Sequence, residues 1–176
     1  ERALNQGVNL ETCLNFVNDF RVRNKVTPIV LMGYMNPIEQ FGWDHFADKA
    51  AHVGVDGVLV VDCPPEESKI FFDKLKAQNI DCIHLVAPTT SEERLQKILG
   101  KASGYIYYVS LRGVTGSDKL NPVDVSQKIN FVKKHTKLPV AVGFGISSRK
   151  SVSDIAETDA DGVVIGSALI RAMEEA

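Results

Sequence analysis

The chain has 176 residues, 44% of them hydrophobic and 24% charged, with a formal net charge of −2. That suits one soluble globular domain with a sizeable core, and it supplies no basic face for nucleic acid or an anionic membrane. No apolar run approaches the roughly 18 residues of a membrane span, and three scattered cysteines, Cys13, Cys63 and Cys82, build neither a disulfide framework nor a zinc site.

Residues 1–25 read as a helix, with Leu10, Cys13, Leu14, Phe16, Val17 and Phe20 as its apolar positions. Residues 27–32 are apolar almost throughout, the mark of a strand covered on both faces. A helix is predicted over 37–53, burying Phe41, Phe46, Ala50 and Val53, and a strand over 57–62. Pro64 marks the next helix start, with Glu66 and Glu67 in a first turn whose dipole favours acids. That helix runs to about Asn79 and carries Ile70, Phe71, Leu75 and Lys76.

The alternation continues with a strand over 82–87 and a helix over 91–100 that Ser91 can cap. A tyrosine-rich strand, 105–110, leads into a Gly-containing loop, 111–122. Helix 123–135, strand 139–144, helix 148–157, strand 162–166 and a helix over 167–175 complete the chain.

Six strands, each followed by a helix, require parallel pairing with right-handed crossovers. An open doubly wound sheet and a closed (β/α)8 TIM barrel both satisfy that rhythm. A complete barrel takes about 250 residues in eight units. The helix at 1–25 has no strand before it, so the expectation is an α/β fold of class (β/α)8 TIM barrel. Units three to eight would be present, and residues 1–176 would form one partial barrel domain whose strand edges invite aggregation.

In such folds ligands meet the C-terminal ends of the strands. Glycines gather there at three successive ends: Gly113-Val114-Thr115-Gly116, Gly143-Phe144-Gly145-Ile146-Ser147 and Gly166-Ser167-Ala168. Glycine lets backbone N–H groups approach an anion closely, and a helix opening at Ser167 aims its positive end at the same place. Three ordinary turns are the bland alternative; the ordered set points instead to a phosphorylated small molecule. Tyr105 and Tyr107 alternate on one strand and face the same way, with Tyr107 nearer the mouth as a substrate contact, while Tyr108 faces oppositely. Asp62 ends its strand as a carboxylate for catalysis, for capping or for anchoring a loop.

A thiol mechanism at Cys63 lacks a histidine base at another strand end: His84 lies mid-strand, His135 ends a helix, and His45 and His52 share one. No strand carries a Schiff-base lysine, no cluster has metal-ligand spacing, and Gly143-Phe144-Gly145 is only a fragment of a dinucleotide fingerprint.

The strings VLMGYMNPI (30–38), GVDGVLVVDCPPEES (54–68), VAPTT (86–90), GYIYYVSLRGVTG (104–116), VAVGFGIS (140–147) and ADGVVIGSALI (160–170) resemble the tryptophan synthase α chain family from end to end. The resemblance implies a (β/α)8 barrel that cleaves indole-3-glycerol phosphate by a retro-aldol reaction. It implies phosphate on the backbones around Gly116, Gly145, Ile146, Gly166 and Ser167, and an indole slot among Leu59, Leu85, Tyr107 and Phe144. Thr115 and Asp62 resemble the pair that joins a mobile loop to the mouth on closure, and Asn36 and Pro37 resemble the segment that meets a β subunit. Pyridoxal phosphate (PLP) is expected only on that β subunit; this chain is expected to need no cofactor or metal.

The family's catalytic glutamate and aspartate belong to sequence upstream of Glu1, so no catalytic residue is assigned here and these 176 residues alone are expected to be inactive. Another phosphate-gripping barrel enzyme, and a non-catalytic module that binds or activates the β subunit, are the alternatives. Cysteine usage points to a reducing compartment such as the cytoplasm. The opening Glu1-Arg2, without a methionine, leaves a plastid address open.

Overall fold

The computed structural model describes residues 2–64, 68–110, 122–143 and 145–176. The chain divides into two compact units, Glu1–Ile83 and His84–Ala176, with the boundary inside a strand.

The first unit contains α1 (Arg2–Asn5), α2 (Leu10–Arg23), β1 (Val30–Gly33), α3 (Met35–Phe41), α4 (Trp43–Val53), β2 (Gly57–Val60) and α5 (Lys69–Ala77), and ends in β3 (Asp81–Val86). β1 and β2 pair in parallel from Val30↔Gly57 to Gly33↔Val60, and β2 pairs with β3 from Gly57↔Asp81 to Leu59↔Ile83. Val58 and Val60 point into a core with Leu14, Val17, Phe46, Ala50, Phe71, Leu75 and Cys82. Phe71 sits at its centre, with ring centroids 5.6–6.1 Å from Phe72, Trp43 and Phe46.

Three predicted helices change here. The helix expected over 1–25 is two, because the chain turns after Asn5 and restarts at Leu10, where the Asn9 side chain accepts the Thr12 N–H at 2.9 Å. Within α2, Phe16 and Phe20 are exposed while Leu14 and Val17 are buried. The helix expected over 37–53 breaks at Gly42, whose φ of 88° lies outside the range most side chains tolerate. The third begins at Lys69, not at Pro64, and buries Phe71, Phe72 and Leu75; Ile70 faces solvent.

The second unit begins with the other half of β3, where His84↔Ile106 to Val86↔Tyr108 pair it with β4 (Ile106–Val109). α6 (Glu92–Leu99) lies between those two strands in sequence, and α7 (Pro122–Lys133), β5 (Val140–Gly143), α8 (Arg149–Ala156), β6 (Gly162–Val164) and α9 (Ser167–Glu174) follow. β4 pairs with β5 from Ile106↔Val140 to Val109↔Gly143, and β5 with β6 from Ala141↔Gly162 to Gly143↔Val164, all in parallel. Ile106, Tyr108, Val140 and Val142 pack with Leu95, Ile98, Ile129, Val132 and Ile155 in this unit's core. Strands therefore pair in chain order, β1 to β6, as a repeated βα rhythm requires.

Candidate functional site

Strand register decides what faces what. In the second unit Leu85 pairs with Tyr107 and Tyr107 with Ala141, so their side chains share the face opposite the Ile106–Tyr108 core. Tyr107 is buried, and its phenol oxygen lies over Gly143: a Cβ built on Gly143 would stand 2.1 Å from it. Burial pushes the Tyr107 phenol above its usual pKa; Tyr105 rises through burial and then the neighbouring Tyr107, consistent with one shared face. Tyr108, on the other face, is pushed up to about 12 by burial and Asp124.

Ser110 strengthens this strand end in a way the sequence did not disclose. Its N–H and its Oγ–H both donate to the Gly143 carbonyl, at 2.9 and 2.8 Å, with the side chain buried. The signal that could have found it is a serine directly after an apolar strand, where a hydroxyl must find a partner.

β5 and β6 end level, at Gly143↔Val164. Gly145 and Gly166 each stand two residues beyond that last pair, so the two glycine loops leave adjacent strands at the same height. Gly145 has a φ of 73°, a conformation open chiefly to glycine, and Ile146 after it is buried. The helices that follow differ in how their N-termini are satisfied. α8 caps itself: Ser148 Oγ accepts the Ser151 N–H, and Ser151 Oγ accepts the N–H groups of Ser147 and Ser148. α9 opens at Ser167 behind Gly166, an N-cap residue with no side chain to cap it. Its N-terminal N–H groups and the positive end of its dipole form a place suited to an oxyanion.

Gly116, Thr115 and Phe144 lie outside the described residues. Leu59 is buried on β2 of the first unit, on the face opposite Val58 and Val60 and level with Met32 and Ile83. Asp62 is exposed just past β2, and its Oδ1 accepts the Met35 N–H at 2.7 Å, so within this unit it anchors the start of α3. Asn36 and Pro37 stand exposed in that first turn. An apolar cavity of about 420 Å³ in the same unit is lined by residues including Leu4, Leu10, Met32, Tyr34 and Phe46.

The thiols are poorly suited to nucleophilic work: burial pushes Cys82 up to about 11, and the buried Cys63 thiol hydrogen-bonds Ser68 Oγ. Among the described residues no group of three or more His, Cys, Asp or Glu side chains could hold a metal ion. No helix among them is long and apolar enough to cross a membrane.

The family model for the tryptophan synthase alpha chain matches residues 1–176. A tryptophan synthase alpha chain of Polynucleobacter necessarius subsp. necessarius is 53% identical over 176 residues, covering all of this chain and 66% of the relative. One from Ralstonia nicotianae is 51% identical with the same coverage. The chain thus spans slightly under two-thirds of the length of these curated relatives. Among solved structures, tryptophan synthase subunit alpha from Legionella pneumophila strain Paris superposes with a TM-score of 0.88 at 40% identity, over 99% of this chain and 63% of that one. The tryptophan synthase a2b2 complex from Pyrococcus furiosus gives a TM-score of 0.87 at 40% identity, over 99% and 70%. The six parallel βα units are therefore six of the (β/α)8 repeat expected from the sequence.

Proposed function

This chain belongs to the tryptophan synthase alpha chain family, and from that premise we propose that it forms the phosphate- and indole-binding part of a lyase acting on indole-3-glycerol phosphate. The observation that carries the reading is the level exit of Gly145–Ile146 and Gly166–Ser167 from the paired strands β5 and β6, beside the α9 N-terminus, whose N-cap Gly166 offers no side chain. The phosphate sits on those backbones and on Gly116. The indole ring lies against Leu85 and Tyr107, and the resemblance adds Leu59 and Phe144 to its apolar contacts.

In the reaction, indole C3 gains a proton while a base removes the proton of the glycerol hydroxyl next to it. The bond between C3 and that carbon breaks, releasing indole and glyceraldehyde 3-phosphate. Each such proton transfer contributes roughly 10²–10⁴ in rate when a side chain performs it. The resemblance assigns both to a glutamate and an aspartate upstream of Glu1. The residues of this chain bind, orient and exclude water. The resemblance gives Asp62 and Thr115 a part in excluding water, and a dry site strengthens every charge interaction inside.

On this reading residues 1–176 are one partial barrel domain comprising units three to eight, working in the cytoplasm without a cofactor of its own. Asn36 and Pro37 meet a β subunit that carries PLP. The Pyrococcus relative's a2b2 assembly supports a partner of that kind, and family membership favours this reading over another phosphate-gripping barrel.

The test is Ser167→Asp in the full-length protein, which sets a carboxylate where the phosphate would rest. KM for indole-3-glycerol phosphate should rise at least tenfold, about 1.4 kcal/mol, with the melting temperature kept. An unchanged KM would remove α9 from the phosphate site.

A further inference from the structure

We infer that Asp62 is a positioning residue for the partner-facing segment: its carboxylate, reaching across from the end of β2, supplies the cap that α3 lacks and so sets where Asn36 and Pro37 stand. The inference rests on the reading of those two residues as the β-subunit contact.

β1 and β2 pair up to Gly33↔Val60, and the Val61 N–H continues the ladder by donating to the Gly33 carbonyl at 2.9 Å. That fixes the backbone immediately before Asp62. β1 then leaves its ladder at Tyr34, which occupies the N-cap position with φ −111° and ψ 157° but makes no side-chain cap. Serine, threonine, aspartate or asparagine normally fills that position, because the first N–H groups of a helix have no partner inside it.

Asp62 Oδ1 takes over the task from the neighbouring strand, accepting the Met35 N–H at 2.7 Å, a charge-assisted bond across 27 residues of sequence. Met35 is the residue before Asn36 and Pro37, so one carboxylate orients the turn that presents both. Leu59, proposed for the indole site, stands on β2 three residues before Asp62.

The experiment uses the full-length protein and its β subunit and compares Asp62→Ala, Asp62→Asn and the double variant Asn36→Ala/Pro37→Ala. Three quantities are read: the Kd for the β subunit, amide exchange at Met35, and the melting temperature. Asp62→Ala should weaken β-subunit binding about tenfold and speed exchange at Met35, the size expected for a lost helix cap. Asp62→Asn keeps a carbonyl oxygen at the same place and should restore the Kd to within about threefold of wild type, a rescue that a general folding defect would not give. Wild-type affinity in Asp62→Ala, or no rescue by Asp62→Asn, overturns the proposal. The double variant separates the layers. If it loses affinity while Asp62→Ala does not, only the positioning role fails. If it binds normally, the interface reading fails and takes the positioning role with it.

Discussion

At the scale of single residues, the tightest constraint in the candidate site is the seat of Tyr107 on Gly143. A methyl group there would lie 2.1 Å from the phenol oxygen and 2.4 Å from the ring carbon bearing it, so the ring must leave its place. Gly57 offers a control in the other unit: its added Cβ meets the tip of Ile83 at 2.5 Å, and a rotamer change relieves that contact. Gly143→Ala should cost about 1–3 kcal/mol in urea unfolding and raise KM for the indole substrate, and Gly57→Ala should cost less. Equal costs would mean Tyr107 moves aside freely and does not shape the slot. The alternation of Tyr105 and Tyr107 was legible, because side chains on a strand repeat every two residues. Their seat on Gly143 was not, since it depends on the register of a strand some 30 residues away. Asp62 teaches the same lesson: sequence identifies an acceptor at a strand end, whereas its partner, Met35, is reached only through β1–β2 pairing.

At the scale of elements, the βα rhythm survived folding, and the departures came where one residue overrules a periodic pattern. Gly42 divides what the apolar spacing reads as one helix, and the run through Phe71 and Phe72 buries a residue one step from the predicted Ile70. Long-range clamps are the least legible feature. Arg21, in the last turn of α2, donates from Nε to the Gly54 carbonyl at 2.9 Å and from Nη1 to the Thr27 carbonyl at 2.7 Å. Its Nη2 pairs with Asp56, which also accepts the Ile29 N–H at 2.6 Å. One mostly buried side chain thus joins α2 to the end of α4 and to the segments entering β1 and β2. Arg21→Ala should destabilise the protein by about 1–3 kcal/mol, because the carbonyls it serves lose their partner. Arg21→Lys should recover only part of that, since an ammonium cannot reproduce the planar fork. Full recovery by lysine in thermal unfolding would reduce the clamp to a simple charge.

At the scale of the whole molecule, ion pairs and helix ends set the pH range of stability. Both ring nitrogens of His135 face acceptors: Nδ1 stands 2.9 Å from the Phe131 carbonyl and Nε2 3.0 Å from Glu92 Oε1. Only the imidazolium donates from both, so those bonds, led by the Phe131 carbonyl, hold its pKa above the ordinary 6.5. A raised pKa stabilises the fold fully below the ordinary value, and the contribution disappears as pH climbs through the raised one. Asp161 has the opposite sign. Lys133 first, then the Val140 N–H at 2.8 Å, hold it below the ordinary 3.8, so its contribution is present above that value and is lost as pH falls through the lowered one. Between those limits both contacts are in force, so their joint contribution forms a plateau from about pH 4 to 6.5. Urea midpoints measured across pH should therefore fall on both sides of it. His135→Asn should flatten the alkaline limb above 6.5 and leave the acid limb alone; Asp161→Asn should make the acid limb shallower and leave the alkaline one alone. An alkaline limb that keeps its slope in His135→Asn would show that the His135–Glu92 pair contributes nothing to the fold's pH dependence.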